Sequence, residues 1–341
     1  MTMTTQPPPL PLALALLNGW QRDFPLQRDP FAPIAAAVGA SVPTVLEQFA
    51  RLQQDGALGR IGGVFAPGAG GAALLAAMAV PPGALDAVAA QVSAHPGVNH
   101  NYEREHAFNL WFVMTGADAV AVEQAMRDLE ARSGHAALRL RMQRAYRIDL
   151  GFDLRGRTAG AMPAPRRRGA VVPIAAADRP LAACVEAGLP LVAQPFDVWA
   201  AQTGRPPDAV LATLRGWLDG GALRRFGCVV RHHELGFDAN AMTVFDVPDD
   251  AVDACGEALA AQPGVTLAYR RERAGAWPYN LYCMVHGTDR AAVREVLDRV
   301  IARSGLAAYR REVLFSRRRF KQTGARRFRP PVAEERADAP A

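Results

Sequence analysis

The chain has 341 residues, half of them hydrophobic, and a net charge of +6 carried almost wholly by arginine, since Lys321 is its only lysine. That length accommodates two ordinary domains with real cores. The four cysteines, Cys184, Cys228, Cys255 and Cys283, form no CxxC motif, which argues against a zinc knuckle, an iron–sulfur site or a disulfide framework.

In chain order, the apolar run at residues 10–17 is too short to span a membrane and has no basic flank of the signal-peptide kind. A cytoplasmic protein with no membrane association is expected. Short apolar stretches at 12–18, 30–38 and 42–53 read as three helices, and Gly39 and Gly56 end the second and third. The segment from Leu58 to Phe65 then reads as a wing, giving a winged helix-turn-helix over residues 10–66. Residues 70–155 alternate strand and helix: a strand at 72–80, a helix at 82–93, a hairpin of 98–106 and 110–115, a helix N-capped by Asp118, and a closing strand at 138–148. That βαββαβ order is ferredoxin-like. A Pro- and Arg-rich linker, 156–173, follows.

The pattern then repeats. Gly56-Ala-Leu58 with Arg60-Ile-Gly62 returns as Gly221-Ala-Leu223 with Arg225-Phe-Gly227. Tyr102-x-Arg104-Glu105 returns as Tyr269-x-Arg271-Glu272, Asn109-Leu110 as Asn280-Leu281, and Arg132-Ser-Gly134 as Arg303-Ser-Gly305. The second copy thus comprises a winged helix-turn-helix at 174–230 and a ferredoxin-like domain at 236–330, with a disordered tail at 331–341. The expected fold class is α+β, two tandem repeats of this pair of domains. The order resembles the Lrp/AsnC regulators, which makes a ligand-responsive transcription regulator one reading. The recognition helices weaken it. Residues 41–50 present Thr44, Glu47 and Gln48 but no base-reading arginine, and the second copy places Asp208 where phosphate would lie.

The segment from His95 to Phe112 carries the most concentrated chemistry. In an extended strand His100, Tyr102, Arg104 and His106 share one face. A solvated hairpin is the bland alternative. Against it, the neighbouring Leu110-Trp-Phe-Val-Met114 is wholly apolar, which implies that its partner is buried. The second copy offers Tyr269, Arg271 and Arg273, so arginine stands where the first has His106. One copy suited to acid–base work beside one suited to anions fits an asymmetric site. Arg231-His232-His233 is a second cluster, but adjacent histidines diverge in an extended chain and no carboxylate or cysteine stands at metal spacing. No protein-built metal site is expected. The glycine-rich loop Gly68 to Gly71 lacks a Walker or GxGxxG pattern; it either admits a large flat ligand or merely turns the chain.

Together Arg60-Ile-Gly-Gly-Val-Phe65, Asn99-His-Asn-Tyr-Glu-Arg-Glu-His106, Asn109-Leu-Trp-Phe112, Arg231-His-His-Glu-Leu-Gly-Phe237, Asn240-Ala-Met242, Tyr269-Arg-Arg-Glu-Arg273 and Trp277-Pro-Tyr-Asn-Leu-Tyr282 resemble the sirohaem (siroheme) decarboxylase family, with its two subunit types joined in one chain. The resemblance implies removal of the C12 and C18 acetate carboxyls of sirohaem to give 12,18-didecarboxysirohaem, on the way to haem d1 in denitrifiers, with no added cofactor. Under it His106, His100 and Tyr102 are the expected catalytic residues. Arg104, Asn109, Trp111, His232, His233, Tyr269, Arg271, Arg273, Trp277 and Asn280 are the expected substrate-binding residues, with His232 an axial ligand to the substrate's iron. The two halves are expected to act as an internal pseudo-heterodimer, self-association into a homo-oligomer being left open. A tetrapyrrole carrier without catalysis is a third reading. Sequence-specific DNA binding is not expected.

Overall fold

The computed structural model describes residues 11–148, 151–154, 160–161 and 171–329. The expected tail at 331–341 and most of the linker lie outside these residues.

In the first copy, helices α1 (Leu12–Gly19), α2 (Phe31–Val38) and α3 (Val42–Gln54) precede strand β1 (Leu58–Phe65). The Ser41 side chain caps α3 by accepting from the Thr44 N–H, and Gly39 takes the left-handed conformation that ends α2. The ferredoxin-like part is β2 (Ala72–Met78), α4 (Leu85–Ala94), β3 (Val98–Arg104), β4 (Leu110–Gly116), α5 (Ala119–Ser133), β5 (Ala137–Leu140) and β6 (Met142–Ile148). A short pair, β7 (Phe152–Asp153) and β8 (Gly160–Ala161), follows. The second copy runs α6 (Arg179–Ala187), α7 (Pro195–Thr203), α8 (Pro207–Asp219), β9 (Leu223–Val230), β10 (Ala239–Phe245), α9 (Val252–Ala260), β11 (Val265–Arg271), β12 (Leu281–Gly287), α10 (Arg290–Arg303) and β13 (Arg311–Gln322).

The closing strands depart from a plain tandem repeat. Within each copy the strands stand in the ferredoxin-like order, fourth-first-third-second, but the two sets join into one nine-stranded sheet, β5-β2-β4-β3-β13-β10-β12-β11-β6. The long β13 pairs first with β10 of its own copy and then, from Ser316 to Gln322, with β3 of the other. The single strand expected at 138–148 breaks at Arg141: β5 stays with β2 while β6 pairs with β11. Each copy therefore completes the other. Since β5 and β6 are consecutive, the sheet returns on itself, with helices α4, α5, α9 and α10 packed outside it over two separate cores.

The two wings pair as well, β1 with β9 antiparallel from Leu58↔Val230 to Phe65↔Leu223. A single core then spans both helical domains, from Leu16, Phe31 and Phe49 to Phe196, Trp199 and Phe226. Arg225 ties them further by donating to the carbonyls of Gln21 and Cys228. The helix-turn-helix pair is thus one packed body seated on the open end of the sheet.

Candidate active site

Inward-facing side chains of the sheet enclose a cavity of about 600 Å³. Its floor is an apolar cluster that includes Trp111, Met242, Tyr282 and Leu314. The paired wings contribute Arg60, Phe65 and Arg231 to the opposite end. The end of β13, at Lys321 and Gln322, and residues 323–327 and 329 after it form much of the remaining wall.

Period-two alternation along β3 brings His100, Tyr102 and Arg104 into this cavity, and along β11 it brings Leu267, Tyr269 and Arg271. The two triplets obey a pseudo-two-fold relation. The Arg104 N–H donates to the Asn109 carbonyl and its Nη1 to the Leu314 carbonyl at 2.9 Å, while the Arg271 N–H donates to the Asn280 carbonyl and its Nη1 to the Leu140 carbonyl at 2.9 Å. Both accepting carbonyls belong to the opposite copy, so the joining of the two copies is what positions the two guanidiniums.

Those guanidiniums are the most telling electrostatic feature. Arg104 is 6 % exposed and Arg271 8 %. Arg104 also reaches the Asn240 side-chain oxygen at 3.5 Å and lies over the Tyr102 ring; Arg271 lies over Tyr269 and Tyr282. Neither has an ion-pair partner among the described residues, and the Nε of each is buried without an acceptor. Burial lowers both pKa values, that of Arg104 to about 10. Burying a guanidinium unpaired costs several kcal/mol, roughly. Arg60 is similar: half-buried, lowered to about 10 by desolvation, and with Nε unpartnered. Arg231, Arg326, Arg327 and Arg329 also line the space, and among the described residues Glu186 is the one carboxylate that lines it. The cavity is built for a polyanion.

The pseudo-symmetry fails where acid–base chemistry would sit. His100 faces the cavity in one copy, and its counterpart on β11 is Leu267. His100 Nδ1 lies 2.9 Å from Asn99 Oδ1. An amide oxygen only accepts, so Nδ1 carries the hydrogen and Nε2 keeps its lone pair, an assignment made from the network. Burial pushes this imidazole down to about 4 and raises Tyr102 and Tyr269 to about 12 each. The ligand-free site therefore holds neutral His100 and neutral tyrosines at pH 7, not the near-neutral histidine that general-acid work suggests. His286 on β12, its Nδ1 3.0 Å from Thr266 Oγ1, is a second cavity histidine, at the position where β4 has Thr115.

Several expected site residues lie elsewhere. β3 ends at Arg104, so His106 is not on the shared strand face. It sits in the following turn, behind the floor, stacked on Phe108 and edge-on to Trp277, with Nδ1 accepting from the Phe108 N–H. Arg273 likewise follows the end of β11 and pairs at the surface with Asp246 and Asp249. Both departures have one cause: the extended reading was carried two residues past the strand. Asn109 clamps the backbone of Val80 with both amide atoms, and Asn280 does the same for Val247, which leaves neither in the cavity. Trp111 does line the cavity, whereas Trp277 lies beneath it and donates its indole N–H to Tyr282 Oη at 2.7 Å. A 3-10 turn spans His232–Leu235, directly after the cavity-lining Arg231; the side chains of His232 and His233 lie outside the described part of the chain.

Sequence reasoning missed Arg60, His286, Lys321 and the arginines of 326–329 as wall residues. Arg60 stood inside a quoted repeat motif, but its counterpart Arg225 donates to backbone carbonyls between the helical domains, so the repeat alone did not mark it. Lys321 donates to the carbonyls of Ser93 and His95 at the end of α4, a non-local partnership no local pattern announces.

Fold and site together define a tandem Lrp/AsnC-type ligand-binding protein in which the helix-turn-helix domains roof a polyanion cavity. Residues 69–147 and 234–321 match the AsnC-like ligand binding domain, and residues 14–58 match the siroheme decarboxylase NirDL-like HTH domain. The chain is 43% identical to the siroheme decarboxylase NirDL subunit of Paracoccus pantotrophus over 92% of its own length and 96% of the relative's. A siroheme decarboxylase NirL subunit from Stutzerimonas stutzeri is 46% identical over 44% of this chain and 88% of its own. Among solved structures, siroheme decarboxylase NirDL matches with a TM-score of 0.66 and siroheme decarboxylase NirDL in co-complex with an iron-uroporphyrin III analogue with a TM-score of 0.65, each at 27% identity, the latter covering 93% of this chain and 94% of that one. The chain belongs to the sirohaem decarboxylase family, in the form that carries both halves in one polypeptide.

Proposed function

We propose that this protein removes the C12 and C18 acetate carboxyl groups of sirohaem as carbon dioxide, giving 12,18-didecarboxysirohaem. The observation that carries this reading is the pair Arg104 and Arg271, buried on opposite walls of one cavity with no carboxylate among the described residues paired with them. Sirohaem carries eight carboxylates around a flat ring. Charge-assisted bonds to a few of them would offset the cost of keeping those guanidiniums out of water.

Each decarboxylation consumes one proton and turns a –CH2–COO⁻ group into –CH3 and CO2. A proton delivered to the pyrrole carbon next to the one bearing the acetate makes the ring the electron sink: the C–C bonding pair becomes an exocyclic C=CH2 as CO2 departs, and protonation of that methylene with return of the ring proton restores the pyrrole and gives –CH3, one proton consumed in all. The apolar floor around Trp111 and Met242 favours that step, because charge is lost as a neutral molecule leaves. His100 is assigned as proton donor. It rests neutral, and the substrate's carboxylates would raise its pKa on binding, so that it takes up a proton only in the complex. Tyr102 and Tyr269 remain neutral donors that orient the carboxylates. His232, next to Arg231, is assigned to the substrate's iron. No step needs an oxidant or a reductant.

The test is anaerobic incubation of the pure protein with sirohaem, followed by mass analysis. A product lighter by two carbon dioxide units is expected, and an unchanged tetrapyrrole in the presence of folded protein would exclude the activity.

A further inference from the structure

After β13 the chain does not leave the molecule; it crosses the mouth of the cavity. The Thr323 N–H donates to the Asn99 carbonyl at 2.7 Å, and the Arg326 N–H to Thr115 Oγ1, both in the first copy. The next three residues are held by one side chain from the second copy's helical domain. Glu186, at the end of α6 and 2 % exposed, accepts from the backbone N–H groups of Arg327 at 2.8 Å and of Phe328 and Arg329 at 3.3 Å each, and from Arg329 Nε at 3.4 Å. Phe328 then packs against Phe65 of the first wing, with ring centroids 4.7 Å apart.

The glycine-rich loop between β1 and β2 receives this segment. A Cβ on Gly70 would come within 2.6 Å of the Phe328 ring, and one on Gly71 within 2.6 Å of Arg327 Cβ. Both glycines also adopt positive φ, +152° and +65°, which other residues rarely take. Neither glycine is there for a phosphate or for the ring of a ligand: they leave room for the chain's own end.

We propose that residues 323–329 are a strap that closes the tetrapyrrole cavity and presents Arg327 to a substrate carboxylate, with Glu186 the positioning residue that pins it. The assignment rests on the sirohaem reading above and names a further specificity element of the same site. Arg327 fits the role because it lines the cavity, its Nε is buried without an acceptor, and its charge is felt at Tyr269 on the facing wall. A carboxylate that ligates three successive N–H groups fixes the direction in which the side chains between them project. The strap also bridges both copies, so the closing contact reports on the whole assembled cavity and not on one half.

The test uses the full-length protein and iron–uroporphyrin, an eight-carboxylate tetrapyrrole, titrated at equilibrium by quenching of tryptophan emission, beside sirohaem turnover. Glu186→Gln, Phe328→Ala and Arg327→Gln are each expected to weaken iron–uroporphyrin binding about tenfold and to raise KM more than they lower kcat. Because Glu186 acts through the strap, Glu186→Gln combined with Arg327→Gln should weaken binding little more than Arg327→Gln alone. Glu186→Asp should recover part of the loss. Affinities equal to that of the unaltered protein, or fully additive losses in the double variant, would overturn the proposal. Should Glu186→Gln fail to fold, Phe328→Ala carries the test, since that side chain belongs to the strap itself. Failure of the unaltered protein to decarboxylate sirohaem would refute the activity and leave the binding comparison standing.

Discussion

At the scale of single residues, the buried charges make opposite demands on the free and the loaded protein. Replacing Arg104 or Arg271 by Met should weaken iron–uroporphyrin binding by about 1.5–3 kcal/mol each, the usual worth of a hydrogen bond to a charged group. The same changes should leave the melting temperature of the free protein unchanged or higher, because a buried cation with no ion-pair partner among the described residues is removed; calorimetry with and without ligand separates the two effects. His100 sets a second sign. Its folded pKa is about 4 against 6.5 for an unperturbed histidine, so between those values the unfolded chain binds the extra proton. Stability should therefore fall as pH drops from about 6.5 towards 4, by at most about 3 kcal/mol, and His100→Gln should flatten the slope in urea titrations at pH 7 and pH 5. His100→Ala should slow turnover by roughly 10²-fold, the scale of a lost general acid, whereas His106→Ala should stay within a few-fold of the unaltered enzyme. Tyr102, Arg104 and Arg271 were legible in the sequence because period-two spacing suffices to put them on one face. The roles of Asn109 and Asn280 were not, since a clamp on a backbone segment about 30 residues distant leaves no local trace.

At the scale of elements, the strand that crosses between copies matters most. β6 docks on the second copy through β11 and through Tyr146, whose ring lies against α9, its hydroxyl bonded to Asp253. Gly256 makes that contact close: a Cβ there would sit 2.2 Å from the Tyr146 ring. Gly256→Ala should thus cost about 1–3 kcal/mol by overpacking, although alanine favours a helix, and urea denaturation checks it. The helices and strands of each ferredoxin-like unit could be read from capping residues and hydrophobic period: Asp118 does as expected by accepting from the Ala121 N–H, and Asp289 does the same for Ala292 in the second copy. The exchange of β6 and the second half of β13 could not. Nothing in Arg317-Arg-Arg-Phe-Lys321 tells which partner strand an extended basic segment will find, and a repeat seen in sequence suggests that each copy keeps its own strands.

At the scale of the whole molecule, each half lacks a wall until the other arrives. Expressed as separate chains cut within the linker, the halves should show no turnover alone and regain it on mixing, with activity rising with protein concentration. The recognition helices α3 and α8 belong to helical domains that share one core and are joined through their wings. Only weak binding to promoter fragments is expected, and it should vanish at raised salt, as phosphate contacts without base readout do. The tandem architecture was visible from the four matched motifs, and so was the lack of base-reading side chains. What sequence could not convey was that the two wings pair with each other, because β1 and β9 are more than 150 residues apart in the chain and alike in composition.

The return of the nine-stranded sheet on itself also governs how the protein meets its own copies. A strand whose outer N–H and C=O groups lack neighbours is a template on which a further strand from another chain can add, the usual route to domain swapping and fibril growth. Here the terminal positions in the strand order, β5 and β6, are two short parts of one segment that bends at Arg141, four and seven residues long, so neither offers a long straight rim for extension. Further association between copies is then expected to run through side chains on the helical faces, and the fused protein should stay dispersed at concentrations where a long open β-edge of similar hydrophobicity would polymerise. Thioflavin binding that fails to develop during prolonged incubation of concentrated protein at neutral pH is the expected sign; its rapid growth would mean that the short edges of β5 and β6 do template further strands.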